Sequence, residues 1–501
     1  MQFFRDLPLP VIGGRPGRDQ VPPPATLVGV RNHEVGVERL LESFRAIPAG
    51  APVRLAKKTS NLFRSRAATD APGLDVSGLS GVISVDPQGR TADVQGMCTY
   101  EDLVDATLPF GLAPMVVPQL KTITLGGAVT GLGIESTSFR NGLPHESVLE
   151  MDVLVPTGEI VTARLDDPET AELFRAFPNS YGTLGYATRL RIELEPVEPY
   201  VRLRHVRFTD LTALQDTLAE ITVDRVYDGV RVDYVDAVVF TETESYIVLG
   251  AQTAEAGPVS DYTDQHIYYR SIQHPEAQTP KEDLLTIRDY LWRWDTDWFW
   301  CSRAFGTQNP RIRRFWPKRW LRSSFYWKLI GLDKKYDIGD RLEARKGLPP
   351  RERVVQDIEV PIERTAEFVA WFLPTTGIEP VWLCPLRLRE TGPSVEARKD
   401  QTGPALHPWT LYPLESDRSY VNIGFWSSVP IVPGEPVGAM NRRIEAEVAA
   451  LDGHKSLYSE SFYSPEDFAA MYGGDDYDRI KRRYDPDARL LGLYEKAVKE
   501  K

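Results

Sequence analysis

Three cysteines, Cys98, Cys301 and Cys384, are all that the 501 residues contain, and no two of them form a CxxC pair. Thiols so few and scattered build neither a disulfide framework nor a cysteine metal site. The expectation is a cytosolic protein with reduced thiols and no metal. The start, Met1-Gln-Phe-Phe-Arg-Asp-Leu-Pro, lacks the apolar run of a secretory signal. No window of about 18 uncharged apolar residues occurs, so no spanning helix is expected. Positive charge is also short: 59 Lys and Arg against 71 Asp and Glu leave a net −12. A field of that sign repels phosphate backbones and argues against a nucleic-acid partner. Neither G-x-G-x-x-G with its acidic partner nor G-x-x-x-x-G-K-S is present, so Rossmann and P-loop readings are not indicated. What remains is a globular composition, 42% hydrophobic and 26% charged, which excludes disorder and a polytopic membrane protein. At roughly 150 residues per domain, the length allows two large units or three smaller ones.

Prolines at 8, 10, 16, 22, 23 and 24 predict an extended arm over residues 1–25. A short strand is expected at 26–30 and a helix at about 35–46, where Val37, Leu40, Leu41 and Phe44 share a face. A strand at Val53–Leu55 and a hairpin of 81–86 with 91–96 follow. Next come a helix at 99–108, a glycine-rich loop over 111–146, two strands within 150–163, a helix at 168–176 and a strand at 187–194. This alternation describes an α+β nucleotide-type domain. Past residue 200 the reading is strands at 246–250 and 353–361, amphipathic segments at 211–222 and 363–373, and helix with turns over 464–501.

Residues 118–147 read PQLKTITLGGAVTGLGIESTSFRNGLPHES, with Gly126, Gly127, Gly131, Gly133 and Gly142 among hydroxyl side chains. Glycine lets backbone N–H groups converge on an anion without a Cβ in the way, and each Ser or Thr adds a donor. A floppy surface loop would share this composition. Ala56-Lys-Lys-Thr-Ser-Asn is a second anion candidate, against a solvated basic turn. Ser180-Tyr-Gly-Thr-Leu-Gly-Tyr is a third, a tight turn before a strand.

In this order, PQLKTITLGGAVTGLGIES, VLVPTGEIVTA and SYGTLGYATRLRIELEP resemble the FAD-binding domain of the vanillyl-alcohol oxidase / p-cresol methylhydroxylase superfamily. The most similar group is the Δ24-sterol reductase (seladin) family, through GLGIESTS and SYGTLG. The likeness continues in Val354-Val-Gln-Asp-Ile-Glu-Val-Pro, Pro380-Val-Trp-Leu-Cys-Pro and Met471-Tyr-Gly-Gly, covering about 26 to 498. The resemblance implies an α+β fold: an FAD domain over 26–200, a substrate or cap domain over 201–463, and a C-terminal segment, 464–501, packing back on the FAD domain. By the same resemblance, Lys58, Thr59, Ser60 and Asn61 form the pyrophosphate loop. Thr124, Gly126, Gly127, Gly131, Gly133, Glu135, Ser136 and Gly142 match a second flavin loop, and Gly182, Thr183, Leu184 and Gly185 a third. Many superfamily members tether FAD through a His in the first loop; this loop has none, and the resemblance implies a noncovalent flavin. Eukaryotic relatives begin with a membrane-spanning segment, where this chain has its proline-rich arm.

Seven of the eleven tryptophans fall between 292 and 327, and Cys301–Lys328 holds eight Lys or Arg and no acid. Within a cap segment of 289–336, Arg311, Arg313, Arg314, Trp316, Lys318, Arg319, Trp320 and Arg322 are therefore expected to contact a membrane surface, since indoles favour the interface and cations attract anionic headgroups. Packing with solvated charges is the alternative. The expected location is cytoplasmic, peripheral on the inner face of the membrane. Reduction of a C=C bond by a flavin needs a proton donor, and Glu135, His145, Asp357, His407 and Tyr420 are candidates. The leading expectation is an FAD-dependent reductase of a lipid double bond, in a sterol side chain or an unsaturated or methylene fatty acyl chain, with NADPH as donor. The alternatives are an FAD-dependent oxidase or dehydrogenase of an alcohol or hydroxy acid, and a non-catalytic lipid-binding flavoprotein.

Overall fold

The computed structural model describes residues 27–57, 63–64, 73–275, 281–336, 341, 347, 349–390 and 408–498. The arm expected over 1–25 lies outside these residues. Helix α1 (Val30–Arg45) begins before residue 35, and the strand expected ahead of it does not form. Val28 and Gly29 do donate N–H bonds to the carbonyls of Val82 and Ile83. Gly29, at φ +75°, then turns the chain into the helix before a ladder can develop. The strand expected at 53–55 is reduced to one bridge, Leu55 with Leu74.

The first sheet is antiparallel. Its strands are β1 (Val82–Asp86), β2 (Thr91–Gln95), β3 (Leu112–Pro114), β4 (Val148–Leu154), β5 (Ile160–Ala163) and β6 (Tyr186–Pro196), in the order β1-β2-β6-β4-β5 with β3 on β6. The 11-residue β6 pairs with β2, β3 and β4 and extends past the expected 187–194 at both ends. Helix α2 (Tyr100–Thr107) is capped by Thr99, whose side chain accepts from the Asp102 N–H. The glycine-rich stretch is not a floppy loop. It holds a third helix, α3 (Leu125–Thr130), capped by Thr124, and its residues are largely buried.

The second sheet is antiparallel and eight-stranded. After β7 (Tyr200–Phe208), a small hairpin of β8 (Val226–Tyr227) and β9 (Val230–Arg231) intervenes. Then follow β10 (Tyr234–Thr241), β11 (Glu244–Thr253), β12 (Lys281–Thr286), β13 (Arg351–Pro361), β14 (Val381–Arg387), β15 (Ser419–Pro430) and β16 (His454–Lys455), in the order β12-β7-β11-β10-β14-β15-β13-β16. Strand alternation assigns its two faces. Val354, Ile358 and Val360 of β13 join Leu218, Phe368, Phe372 and Val448, which belong to the helices Leu211–Asp224, Thr365–Thr376 and Ala439–Ala450. The opposite face presents Tyr234, Val238, Tyr246, Trp382, Cys384 and Leu386, which share one core with Val94, Met151 and Leu190 of the first sheet and with Val129 of α3. Each large side chain so buried contributes about 1.5–3 kcal/mol. This continuous core holds the two sheets against each other and puts the polar residues of the second face between them.

The C-terminal residues run back to the first sheet. Arg489 donates to the carbonyls of Ala51 and Pro156, and Lys481 donates to that of Thr183.

Candidate functional site

Lys58, Thr59, Ser60 and Asn61 lie outside the described residues, as does His407, but the residues around the first loop show where it leads. Lys57 Nζ donates to Thr124 Oγ1 at 3.0 Å, tying the first loop to the cap of α3. On the other side of the loop, the Phe63 N–H donates to the Tyr458 carbonyl at 3.0 Å. Arg64 donates to the Leu457 carbonyl and sets its guanidinium 5.0 Å from the centre of the Tyr181 ring. The Tyr181 N–H in turn bonds the Thr130 carbonyl. The described residues on either side of the first loop therefore meet the two glycine-bearing segments and the turn at 457–458 that follows β16.

The glycines do different work from the cradle expected of them. A Cβ on Gly126 would stand 2.6 Å from the Gly96 carbonyl oxygen, and one on Gly133 would stand 2.6 Å from Pro118 and 2.9 Å from Pro144. These two permit close packing within the protein. Gly142, at φ +66°, leaves room for the Glu146 carboxylate that accepts the Leu143 N–H. Gly127 faces Thr124 and Lys57, and Gly131 faces the Tyr181 ring, so these two border the junction itself. In the third segment Asn179, Tyr181 and Gly182 all have positive φ. Gly185 approaches the Leu154 carbonyl, and the Thr183 hydroxyl closes on the Ser180 carbonyl, with Leu184 buried between. Left-handed backbone at Tyr181 costs about 1–3 kcal/mol, and what it achieves is to turn that ring toward Arg64 and the second sheet.

Opposite these segments, β13 and β15 present Asp357, Glu359, Asn422, Gly424 and Trp426 on one face, with Asp357 paired to Gly424 and Glu359 to Asn422. Trp426 Nε1 donates to the Tyr458 hydroxyl at 3.0 Å. Burial pushes the Asp357 carboxyl up to about 7, with Tyr458 and Asn422 partly offsetting the effect. Glu359, beneath it, is raised well above the usual carboxylate range by burial, offset first by the Ser456 hydroxyl that donates to it at 2.9 Å. Tyr181 Oη, Tyr412 Oη, both polar atoms of the Asn422 amide and Asp357 Oδ1 are buried without a hydrogen bond of ordinary geometry. Each such group costs about 1–3 kcal/mol unless something pairs with it. Five together, where the described loop segments meet the second sheet, fit a bound ligand with polar groups of its own. An open cleft of about 640 Å³ between α1 and residues 77–82 is lined by none of these groups.

Apolar rings border the same point. Phe63 packs on Trp327 (4.9 Å between centroids), Trp298 (6.0 Å) and Tyr458 (5.9 Å), and Trp298 packs on Trp327 at 5.1 Å. Trp298 and Phe299 are both left-handed, a further strained segment at the junction.

The other candidate acids fall elsewhere. Glu135 is buried; its Oε1 accepts from the Ser136 N–H at 2.8 Å and from Arg293 Nη2 at 3.1 Å. The same Arg293 nitrogen bonds Asp236 at 2.8 Å, and Asp236 also accepts from the indoles of Trp294 and Trp382. The Ser136 hydroxyl bonds Tyr290. Glu135 and Ser136 thus lock the second loop to the other sheet. His145 packs edge-on against Trp409, 4.4 Å away, and burial lowers its pKa to about 3, which favours the neutral ring. Tyr420 bonds the Glu415 N–H and lies under Arg418.

The basic and aromatic stretch is not one exposed surface. Arg313 is 3% exposed, pairs with Asp297 at 2.6 Å and donates to the carbonyls of Tyr262 and His266, so it is structural and cannot reach lipid. Trp292, Trp294, Trp298 and Trp300 are buried in the core, and Arg322 is half-buried against Glu101. Exposed are Arg311, Ile312, Arg314, Phe315 (84%), Lys318 and Arg319, while Trp316 and Trp320 pack half-buried around Phe325. Among the described residues no helix is long and apolar enough to cross a membrane.

Asp236, Arg293, Asn422, Trp426 and Tyr458 were not singled out from the sequence. Alternation along β10 and β15 marks the faces of Asp236, Asn422 and Trp426 but not which polar residues share one, and Arg293 and Tyr458, outside the strands, carry no such signal.

Residues 37–164 match the family model of an FAD binding domain. The chain is 24% identical over 454 residues to the Delta(24)-sterol reductase of Arabidopsis thaliana, covering 85% of this chain and 76% of the relative. It is 26% identical over 433 residues to that of Homo sapiens, covering 84% and 77%. The likeness to cytokinin dehydrogenase 2 of Oryza sativa subsp. japonica is local, 34% over 161 residues, covering 31% and 28%. The chain carries an FAD-binding domain, and the expected α+β fold with flavin loops rests on this match as well as on the motifs.

Proposed function

We propose that this chain, built on its FAD-binding domain, is an oxidoreductase that reduces a carbon–carbon double bond of a lipid, with NADPH as electron donor. The observation that carries the reading is the place of Asp357: a buried-edge carboxyl, raised by burial to about 7, set where the loop segments meet an aromatic wall of Phe63, Trp298 and Trp327. Rings of this kind suit an apolar chain. The names of the full-length relatives, Delta(24)-sterol reductases, support a lipid olefin, a sterol side chain or an unsaturated or methylene acyl chain. When bound, FAD supplies the hydride. The protein's part is to exclude water with the aromatic wall and to hold a proton at Asp357 for the neighbouring carbon. Under nitrogen, NADPH should bleach the flavin band and an olefinic lipid should restore it, with a saturated product seen by mass spectrometry. Rapid reoxidation by oxygen, with none by lipid, establishes an oxidase instead.

The flavin is noncovalent on this reading, because residues 56–61 and 118–142 contain no His or Cys. Acid precipitation should leave a yellow supernatant; a yellow pellet refutes it. Replacing Gly127 with Val should abolish flavin loading, since the added side chain would fill the space before Thr124 and Lys57.

Arg311, Arg314, Lys318 and Arg319, around the exposed Phe315, are proposed to hold the protein on the inner face of the membrane. Each cation near an anionic surface contributes about 1 kcal/mol. Reversing all four to Glu should cut sedimentation with anionic vesicles about a hundredfold or more, leaving flavin absorbance intact. Equal binding to neutral and anionic vesicles would show that these charges do not act this way.

A further inference from the structure

We infer that Tyr458 is the group that hands the proton to substrate, with Asp357 behind it as the source and Trp426 holding the phenol in place. The inference rests on the reductase reading and names a catalytic residue within it. Three features place Tyr458 between the carboxyl and the apolar wall. Its carbonyl accepts the Phe63 N–H, fixing the residue against the first flavin loop. Its ring stands edge-on to Phe63 at 74°, at the end of the rings formed by Trp327, Trp298 and Phe63. Its hydroxyl lies beside Asp357, which it helps to keep charged, and accepts from Trp426 Nε1 at 3.0 Å.

The site is built for this contact. Gly424 lies directly across from Asp357 in the β13–β15 ladder. A Cβ there would stand 2.6 Å from Asp357 Oδ1 and 2.8 Å from the edge of the Trp426 indole. A bare glycine is thus what lets the carboxyl and the indole converge on one phenol. Asp357, Trp426 and Tyr458 are only half-buried, although the atoms around them are closed off from solvent, so all three border the space a substrate would take.

The step balances simply. The hydride that a bound, reduced flavin would supply accounts for one new C–H bond as the π bond breaks. The Tyr458 O–H proton forms the other at the adjacent carbon, and the Asp357 proton refills the phenol oxygen. Asp357 is left as carboxylate and regains its proton from water between turnovers. Charge developing on the phenol oxygen faces the Trp426 N–H, a donor already in place.

Tyr458→Phe tests this with two readouts. The first uses the flavin-free chain: an infrared pH titration follows the Asp357 carboxyl band, assigned by its loss in Asp357→Asn. Removing the hydroxyl that favours the charged form should move the midpoint upward; an unmoved midpoint overturns the contact. The second is reoxidation of the reduced holoenzyme, under nitrogen, by vesicles carrying a Δ24-unsaturated sterol or a methylene or monounsaturated acyl lipid. Tyr458→Phe should slow it by about 10²-fold or more, and Trp426→Phe, which keeps a ring but loses the N–H, by about tenfold. A moved midpoint with wild-type reoxidation in Tyr458→Phe overturns the relay and leaves Asp357 as direct donor. If wild-type flavin is reoxidised by none of these lipids, the reductase reading fails and takes the relay with it. The infrared shift still stands in that case, which makes the two failures distinguishable.

Discussion

Arg293→Met should cost the folded protein about 3–5 kcal/mol, the scale for removing one partner of a buried ion pair. Against a typical total of about 5–15 kcal/mol, that is a large share. The expectation follows from the position of the guanidinium: fully buried, 3.1 Å from Glu135 and 2.8 Å from Asp236, and 4.0 Å from the centre of the Tyr290 ring. Asp236 would keep the indole N–H groups of Trp294 and Trp382 but lose its only counter-charge within the cluster. Glu135, already raised by burial and held down first by Arg293, would rise further. The pH dependence has a definite sign. In the unfolded chain Glu135 loses its proton near 4.3, whereas the folded variant keeps it to higher pH. Its cost therefore grows as pH rises above the unfolded value and shrinks as pH falls toward it. Urea titrations of Arg293→Met should show a deficit at pH 7.5 that narrows near pH 5. Glu135→Gln is the contrasting variant: the amide oxygen still accepts the Ser136 N–H, no charge is stranded, and stability should hold within about 1 kcal/mol. Flavin loading should track the first variant, because Glu135 and Ser136 sit in the second loop. Equal stability of Arg293→Met and the parent at both pH values would show that the cluster does not hold the two sheets together.

How much of this was readable beforehand depends on distance along the chain. The hairpin of β1 and β2, helix α2 and the helices at 211–224 and 365–376 follow from local periodicity and turn chemistry, and they stand where the sequence places them. The order of the three flavin segments was legible because their glycines and hydroxyls cluster within a few residues. What those glycines do was not. Gly133 is small because of Pro118 and Pro144, and Gly126 because of the Gly96 carbonyl, partners that only the fold supplies. Arg313 shows the same limit for charge. A run of cations looks like a surface, yet Asp297, 16 residues earlier, takes one of them into the interior. Asp357 could be named as a candidate acid from its strand. Its environment comes from Gly424, Trp426 and Tyr458, which approach through a cross-strand pairing and a turn about a hundred residues on.

Asp357→Asn should slow reoxidation of the reduced flavin by an olefinic lipid about 10²–10⁴-fold, the span that a positioned general acid contributes, while NADPH still bleaches the flavin. The asparagine is nearly isosteric, so the space in front of Gly424 stays filled and the change is confined to the proton. The pH profile gives the sharper test. Burial, the largest influence on this carboxyl, raises it to about 7. Below that value Asp357 carries the proton that the second carbon needs; above it the group is a carboxylate with nothing to give. The rate constant for reoxidation in the parent should therefore be level below about pH 7 and fall toward tenfold per unit above it. Reduction by NADPH needs no proton from this side and should lack that break. In Asp357→Asn the break should vanish, leaving a slow and level profile. A variant whose slow reoxidation keeps the parental break would show that the titrating acid is another group, with Glu359, two residues along the same strand face and also raised by burial, the next to replace. If both half-reactions run at parental rates, Asp357 is structural and the proton reaches the substrate by a route that does not pass through β13.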